Sequence, residues 1–110
     1  MEIATKTIDD ITVVTISGEL DGRTSPIAQA EIVPLCQPGT KLLLDMSQVT
    51  YMSSAGLRVL LLLYRQMTSV NGRIVLVGLS EELQDTMSAT GFLAYFTTFD
   101  TIDTGVAGLQ

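Results

Sequence analysis

The stretch Leu42–Val77, LLLDMSQVTYMSSAGLRVLLLLYRQMTSVNGRIVLV, decides the fold of this chain. Leu42–Leu44 shows no alternation of apolar and polar residues, which is typical of a strand covered on both faces by helices. A helix opened by Ser53 or Ser54 and closed by an Asn-Gly pair follows. A second apolar strand, Ile74–Val77, comes next. Strand, helix and strand in about thirty residues predict a βαβ unit with parallel strands and a right-handed crossover.

The segment before this unit predicts a hairpin, a loop and a short helix. A weaker strand over Glu2–Ile8 and a β-branched strand over Ile11–Ile16 are separated by two aspartates, which favour a turn. A loop over Gly18–Gly22 follows. Ser25 and the proline after it are typical of a helix start, and Pro34 limits the length of that helix.

The segment after the unit predicts three more elements. A helix begins at Ser80, whose hydroxyl suits the cap position, and it ends at Gly91. Phe96–Phe99 predicts an edge strand, and Ile102–Leu109 is apolar enough to form a terminal helix. With no linker or internal repeat between these elements, residues 1–110 are predicted to form a single domain.

Composition limits the partners and the compartment. The formal net charge is −6, which argues against nucleic acid or an anionic membrane as a partner, because phosphate groups require clustered Lys and Arg. The start of the chain has no signal-peptide pattern, and Leu57–Leu63 is too short to span a bilayer. One cysteine, Cys36, excludes an internal disulfide and fits a reducing compartment. We therefore expect a cytoplasmic protein, as a monomer.

The chain offers little of the chemistry that enzymes use. It contains no histidine, so a Ser-His-Asp triad, a histidine base and a histidine-containing zinc site are excluded. Cys36 lacks a histidine to activate it and is expected to be a small buried thiol. A hydrolase using Ser54 lacks the Gly-x-Ser-x-Gly elbow, and no glycine-rich phosphate loop is present. We expect no catalytic residue, no metal and no cofactor.

The central helix has two distinct faces. One carries apolar residues at helical spacing and is predicted to pack on the sheet: Leu57, Leu60, Leu61, Tyr64 and Met67. The other carries four residues at spacings of four, four and three: Ser54, Arg58, Leu62 and Arg65. These four residues are named the α2 ridge below. Two interpretations of the ridge stay open, a solvated stripe with one apolar residue and a partner-binding surface with an apolar centre and basic flanks.

The serines at the start of the helix also have two interpretations. A serine oxygen at a helix start accepts hydrogen bonds from backbone N–H groups that have no partner within the helix, so one interpretation is that Ser53 and Ser54 serve as caps alone. A phosphate on Ser54 would meet the same N–H groups and the positive end of the helix dipole. Arg58, one turn further on, could hold that phosphate as well.

Two motifs resemble a known family. The first is Gly18-Glu19-Leu20-Asp21 after a strand, and the second is LDMSQVTYMSSAGL, residues 44–57. Together they resemble the STAS domain of bacterial anti-sigma factor antagonists, over nearly the whole chain. The resemblance implies an α/β fold, a small mixed and mostly parallel sheet flanked by about four α-helices. It also implies a regulatory protein and not an enzyme.

The family's motif is Met-Asp-Ser-(Ser/Thr)-Gly-Leu, phosphorylated on the first hydroxyl residue after the aspartate. In this chain Ser53 takes the place of the aspartate, Ser54 matches the phosphorylated residue, and Ala55 replaces the second hydroxyl. The resemblance therefore implies phosphorylation of Ser54, with Ser53 as second choice. It also makes Asp21 a contact for the kinase, while a role as a loop or helix-capping acid is the alternative for this residue.

The partners that the resemblance implies are a serine kinase that is also an anti-sigma factor, and a PP2C-type phosphatase. The unphosphorylated protein would bind the kinase through Asp21 and the α2 ridge, and phosphorylation would release it. The alternative is a STAS subunit that is fixed in a larger complex, for example in lipid transport or stress signalling, and is never phosphorylated. The loss of the acidic residue at position 53 keeps this alternative open.

Overall fold

A computed structural model describes residues 1–110 and contains one five-stranded sheet. The strands lie in the order in which they occur along the chain, β1-β2-β3-β4-β5. β1 is antiparallel to β2, and the other neighbouring pairs are parallel. Their bounds are Glu2–Ile8, Ile11–Leu20, Lys41–Met52, Arg73–Val77 and Thr97–Phe99. The mixed and mostly parallel sheet that the resemblance implies is confirmed.

Four α-helices flank the sheet, in agreement with the expected number. They are α1 Ser25–Ile32, α2 Ser54–Ser69, α3 Glu81–Ala89 and α4 Ile102–Leu109, with 3₁₀ turns at Val33–Leu35 and Phe92–Tyr95. The first three helices pack on one face of the sheet, where they share a core with Leu42, Leu44 and Leu76. α4 packs on the other face against Leu43 and Val75. β3 and β4 are therefore covered on both sides, which explains their unbroken apolar runs.

Several predicted boundaries agree with the structure. Ser80 caps α3, because its Oγ accepts from the N–H of Leu83 at 3.1 Å. Gly91 follows that helix in the left-handed conformation, with φ of 79°. α1 stops at Ile32, two residues before Pro34. Cys36 is buried as expected, and burial raises the pKa of its thiol.

The predicted loop over Gly18–Gly22 and the predicted cap of α1 are wrong in detail. β2 continues through Gly18 to Leu20, so the loop begins only at Asp21. Gly18 allows this because its φ of 102° is accessible to glycine within a locally irregular strand. The N-cap of α1 is Thr24, while Ser25 lies inside the helix with a buried hydroxyl that has no hydrogen-bond partner.

The buried face of α2 also differs from the prediction. Leu61 and Tyr64, predicted to be buried, are only half-buried. The residues that face the core are Gly56, Leu57, Val59, Leu60, Leu63 and Met67. The apolar run Val59–Leu63 fits more than one helical face, so the sequence pattern leaves the rotation of the helix open. The close approach of Gly56 to the end of β2 sets the rotation.

Candidate functional site

The two sequence motifs meet where β2 and β3 end. Leu20 is paired with Met52 across the parallel strands, so the residues that follow, Asp21 and Ser53, leave the sheet side by side. The backbone N–H of Ser53 donates to the carbonyl oxygen of Leu20 at 2.9 Å. Because the carboxyl ends of parallel strands lie at the same edge, this edge collects the Asp21 loop, Asp21–Thr24, and the start of α2.

Gly56 lets the start of α2 lie directly on the end of β2. A Cβ atom at this position would lie 2.5 Å from the carbonyl oxygen of Leu20 and 2.8 Å from Cγ of Met52. Such distances are shorter than real Cβ contacts, so any side chain would push the helix away. The glycine of the motif is therefore required by the close packing of helix and strand.

β3 contains two extra residues relative to β2. Thr15 pairs with Asp45 but Ser17 pairs with Gln48, which leaves one extra residue at Met46-Ser47. A second irregularity lies between Gly18 and Glu19 of β2, opposite Thr50. These β-bulges change which face each following side chain occupies. As a result Met46, Val49 and Met52 all face the core, at a spacing of three residues that a regular strand does not allow.

The two serines have different surroundings. Ser53 is the N-cap of α2, and its Oγ accepts from the N–H of Gly56 at 3.4 Å. Ser54 is the first residue of the helix; it is exposed, and its hydroxyl makes no hydrogen bond within the chain. The capping function predicted for one of the two serines thus falls to Ser53.

The α2 ridge faces outward along the helix. Ser54, Arg58 and Arg65 are exposed and Leu62 is half-buried, as their spacing predicts. Neither arginine has an acidic partner, since the salt bridge of this chain joins Lys41 to Asp10. α2 contains no acidic residue, so the ridge is positive on a protein whose formal net charge is −6. The half-buried Leu61 adds to the apolar part of this surface.

Asp21 organises its own loop. Its Oδ1 accepts from the backbone N–H groups of Arg23 at 2.9 Å and Thr24 at 3.1 Å. The hydroxyl of Thr24 donates to the carbonyl oxygen of Glu19 at 2.8 Å, which closes the loop. These bonds fit the interpretation of Asp21 as a loop acid, and they leave its second carboxylate oxygen without a hydrogen bond in the chain.

We expect the pKa of Asp21 to lie below the ordinary value for an aspartate, because the backbone N–H groups of Thr24 and Arg23 stabilise its ionised form. A carboxyl group with a lowered pKa in the folded state stabilises the fold above its unfolded pKa of about 3.9, and this contribution disappears as the pH falls through the folded pKa. A carbon-detected NMR titration of the Asp21 carboxyl measures the midpoint.

In that titration Asp10 serves as a comparison, because its pKa is lowered chiefly by a hydrogen bond from the side chain of Lys41. Replacing Lys41 with Met should raise the midpoint of Asp10 and leave that of Asp21 unchanged. A midpoint for Asp21 at or above that of an aspartate in an unfolded chain would contradict the loop geometry.

The sequence analysis missed one exposed aromatic residue near this site. Tyr51 lies two residues before Ser53 and is 51% exposed, at the end of β3 and paired with Glu19. The alternation of a regular strand does not predict which way the side chain of Tyr51 points, because the β-bulges that turn it outward leave no pattern in the sequence. Tyrosine is enriched at protein interfaces, so Tyr51 extends the candidate contact surface.

Two other kinds of site, a metal-binding cluster and a membrane-spanning helix, are absent from this structure. No three acidic or thiol side chains lie together in a group that could hold a metal ion. None of the helices combines the length and the apolar character needed to cross a bilayer. The end of β2 and β3 is the candidate functional surface, because the two sequence motifs meet there.

Comparison with known proteins identifies relatives of this chain. The family model of the STAS domain matches residues 2–105. The anti-sigma-B factor antagonist of Bacillus subtilis is 33% identical over 78 residues, which cover 71% of this chain and 72% of that protein.

Solved structures share the fold. An anti-sigma factor antagonist from Mycobacterium paratuberculosis superposes with a TM-score of 0.83 at 25% identity, over 98% of this chain and 92% of that one. The unphosphorylated form of the anti-sigma factor antagonist SpoIIAA gives a TM-score of 0.79 at 17% identity, over 97% and 95% of the two chains. The phosphorylated form of SpoIIAA gives a TM-score of 0.74 at 16% identity, over 99% and 100%.

Proposed function

This chain belongs to the STAS domain family, and we propose that it is an anti-sigma factor antagonist that works as a protein-binding switch controlled by phosphorylation of Ser54. The unphosphorylated form binds a cytoplasmic partner that is both a serine kinase and an anti-sigma factor, and so frees a sigma factor. The name of the Bacillus subtilis relative and the two solved forms of SpoIIAA support this choice. The proposal gives the chain no catalytic residue.

The difference between the two serines carries the proposal. A kinase needs an accessible hydroxyl, and Ser54 is exposed with its hydroxyl free of hydrogen bonds. The Ser53 hydroxyl is occupied as the helix cap, so transferring a phosphoryl group to it would disrupt the start of α2. This difference favours Ser54 although position 53 lacks the family's aspartate.

The kinase adds the phosphoryl group to Ser54 and the phosphatase removes it. Oγ of Ser54 attacks the γ-phosphorus of ATP, the bond to ADP breaks, and the hydroxyl proton passes to a base of the kinase. A PP2C-type phosphatase then uses water to hydrolyse the phosphoester, which returns the hydroxyl and releases inorganic phosphate.

A phosphate on Ser54 can be held without refolding the domain. Ser54 is the first residue of α2, where backbone N–H groups and the helix dipole favour an anion. Arg58 lies one turn away with no acidic partner to compete for its guanidinium. The effect on the partner then comes from about two negative charges and added bulk on the contact surface.

The proposed partner surface combines two elements that the sheet brings together. Asp21 offers a carboxylate from its loop, and the α2 ridge offers Ser54, Arg58, Leu62 and Arg65. The Leu20–Ser53 hydrogen bond fixes these elements next to each other. A phosphate on Ser54 would therefore lie at the end of the α2 ridge that is nearest the Asp21 loop.

We expect Ser54→Ala to abolish phosphorylation by the partner kinase with ATP, while Ser53→Ala retains it. Ser54→Asp should weaken binding to the kinase by about tenfold or more, because it places a negative charge in the close contact between this position and the kinase. Calorimetry measures the affinity, and phosphopeptide mapping of protein isolated from growing and stressed cells locates the phosphate.

Ser88→Asp is the matched control, because Ser88 is an exposed residue of α3 and receives the same charge away from the ridge. It should leave the affinity for the kinase within twofold. If Ser54→Asp leaves every partner affinity unchanged and no phosphate is found in cells, the chain is a fixed STAS subunit instead. Phosphate on Ser53 would move the switch by one residue and make Ser54 a surface residue.

A further inference from the structure

Asp45 is a buried carboxylate that the switch does not use directly. It is 7% exposed and is one of two buried polar residues in the chain, the other being Ser25. No cation pairs with it, since the salt bridge of the chain lies elsewhere. A buried carboxylate is costly unless it is well hydrogen-bonded, so its bonds indicate what it does.

The carboxylate of Asp45 bridges the first bulge of β3. Its Oδ1 accepts from the backbone N–H of Ser47 at 3.0 Å, and its Oδ2 accepts from Oγ1 of Thr15 at 3.3 Å. Ser47 is one of the two residues of β3 that lie opposite a single residue of β2, and Thr15 is the last regular partner before this bulge. One side chain therefore holds both strands at the point where their register changes.

Gly78 confines the same bulge from the direction of β4. It follows that strand with φ of +72°, and a Cβ atom there would lie 2.8 Å from Cβ and 3.2 Å from Cα of Ser47. The backbone of the loop after β4 thus approaches the bulge as closely as glycine permits. The insertion is fixed from two sides.

The bulge determines how the chain reaches the candidate site. A one-residue change of register moves every following side chain to the opposite face of a sheet. Met52 faces the core in the observed register, and Ser53 then donates its N–H to Leu20 and caps α2. Without the inserted residue, Met52 would arrive on the wrong face and Ser53 would lose its position beside the Asp21 loop.

We propose that Asp45 is a positioning residue for the phosphorylation site, which it sets in place by fixing the bulge at Met46-Ser47. Asp45 acts through the backbone of β3 and does not touch the phosphate or the partner. The consequence for the kinase rests on the proposed function, whereas the position of the helix start can be measured on the protein alone.

The test compares Asp45→Leu with Asp45→Asn. Leucine has a similar shape and removes both hydrogen bonds, while asparagine keeps an acceptor for Ser47 and a polar group for Thr15. We expect Asp45→Leu to shift the backbone amide resonances of residues 53–57 and to speed hydrogen exchange at Ser53 about tenfold, well below its melting temperature. Asp45→Asn should restore the wild-type spectrum and exchange rate.

With the partner kinase, kcat/KM for phosphorylation of Ser54 should fall about tenfold or more in Asp45→Leu and stay within twofold in Asp45→Asn, since misplaced reacting groups slow transfer steeply. A role in stability alone would lower the melting temperature without moving these resonances. A folded Asp45→Leu variant with wild-type resonances at 53–57 would overturn the proposal, as would failure of Asp45→Asn to restore them.

Thr15→Val covers the case in which Asp45→Leu does not fold. It removes only the weaker of the two bonds, and it should shift the same resonances by a smaller amount. In that case, wild-type resonances at 53–57 in Thr15→Val, with no change beyond a lower melting temperature, would contradict the proposal. If the wild-type chain is never phosphorylated, the proposed function fails while the NMR comparison still decides the role of Asp45.

Discussion

Leu60→Asp is expected to unfold the domain. Leu60 has no exposed surface and lies in the core between α2 and the sheet. An aspartate there would bury a carboxylate without a partner, at a cost of more than about 4 kcal/mol. Since the whole stability of such a domain is about 5–15 kcal/mol, a domain at the lower end of this range should unfold, and one at the upper end should lose much of its stability. Circular dichroism during thermal and urea unfolding measures the loss.

Leu61→Asp is the matched control for this prediction. Leu61 is the next residue in the same apolar run but is only half-buried on the outer side of α2. We expect Leu61→Asp to cost about 1 kcal/mol or less, because the carboxylate reaches water. If the two variants lost the same stability, the orientation of α2 described above would be wrong.

Gly56→Val is expected to dislodge the start of α2. Its Cβ would meet the carbonyl oxygen of Leu20 at 2.5 Å, and this backbone atom cannot move without disturbing the end of β2. We expect a loss of about 3 kcal/mol from overpacking, together with faster exchange of the Ser53 amide. Urea unfolding and hydrogen exchange measure the two effects.

Gly22→Val provides the comparison in the neighbouring loop. A Cβ at Gly22 would meet nothing within 4 Å, so the added side chain points into open space. Its stability should stay within about 0.5 kcal/mol of the wild type. Equal losses in the two glycine variants would show that valine acts through the unfolded chain or the loop and not through the contact with Leu20.

Local signals in the sequence predicted most of the fold. Ser80, Gly91 and Pro34 act on the few residues around them, so their effects on helix ends could be inferred from residue type alone. The unbroken apolar run of β3 correctly indicated cover on both faces. The position of the two motifs could also be predicted from the sequence, because each motif lies at the end of a strand.

The errors came from contacts between distant parts of the chain. Whether Leu61 or Leu63 lies in the core depends on the contact between Gly56 and Leu20, which is 36 residues earlier in the chain. The apolar run that contains both leucines does not indicate which of them is buried. The bulge at Met46-Ser47 is contacted by Asp45, Thr15 and Gly78, which come from three different strands or their ends. Residue type gave no sign that Ser53 and not Ser54 is the cap.

The order of the strands has a consequence for synthesis on the ribosome. Since each strand lies beside the one before it, the sheet can grow as the chain emerges from its N-terminal end. α4 is made after all five strands, and it is the helix that packs on Leu43, Val75 and Val77 on its side of the sheet. A nascent chain in which Ile102–Leu109 is not yet made therefore exposes much of this apolar surface, which makes it a target for chaperones until α4 is complete.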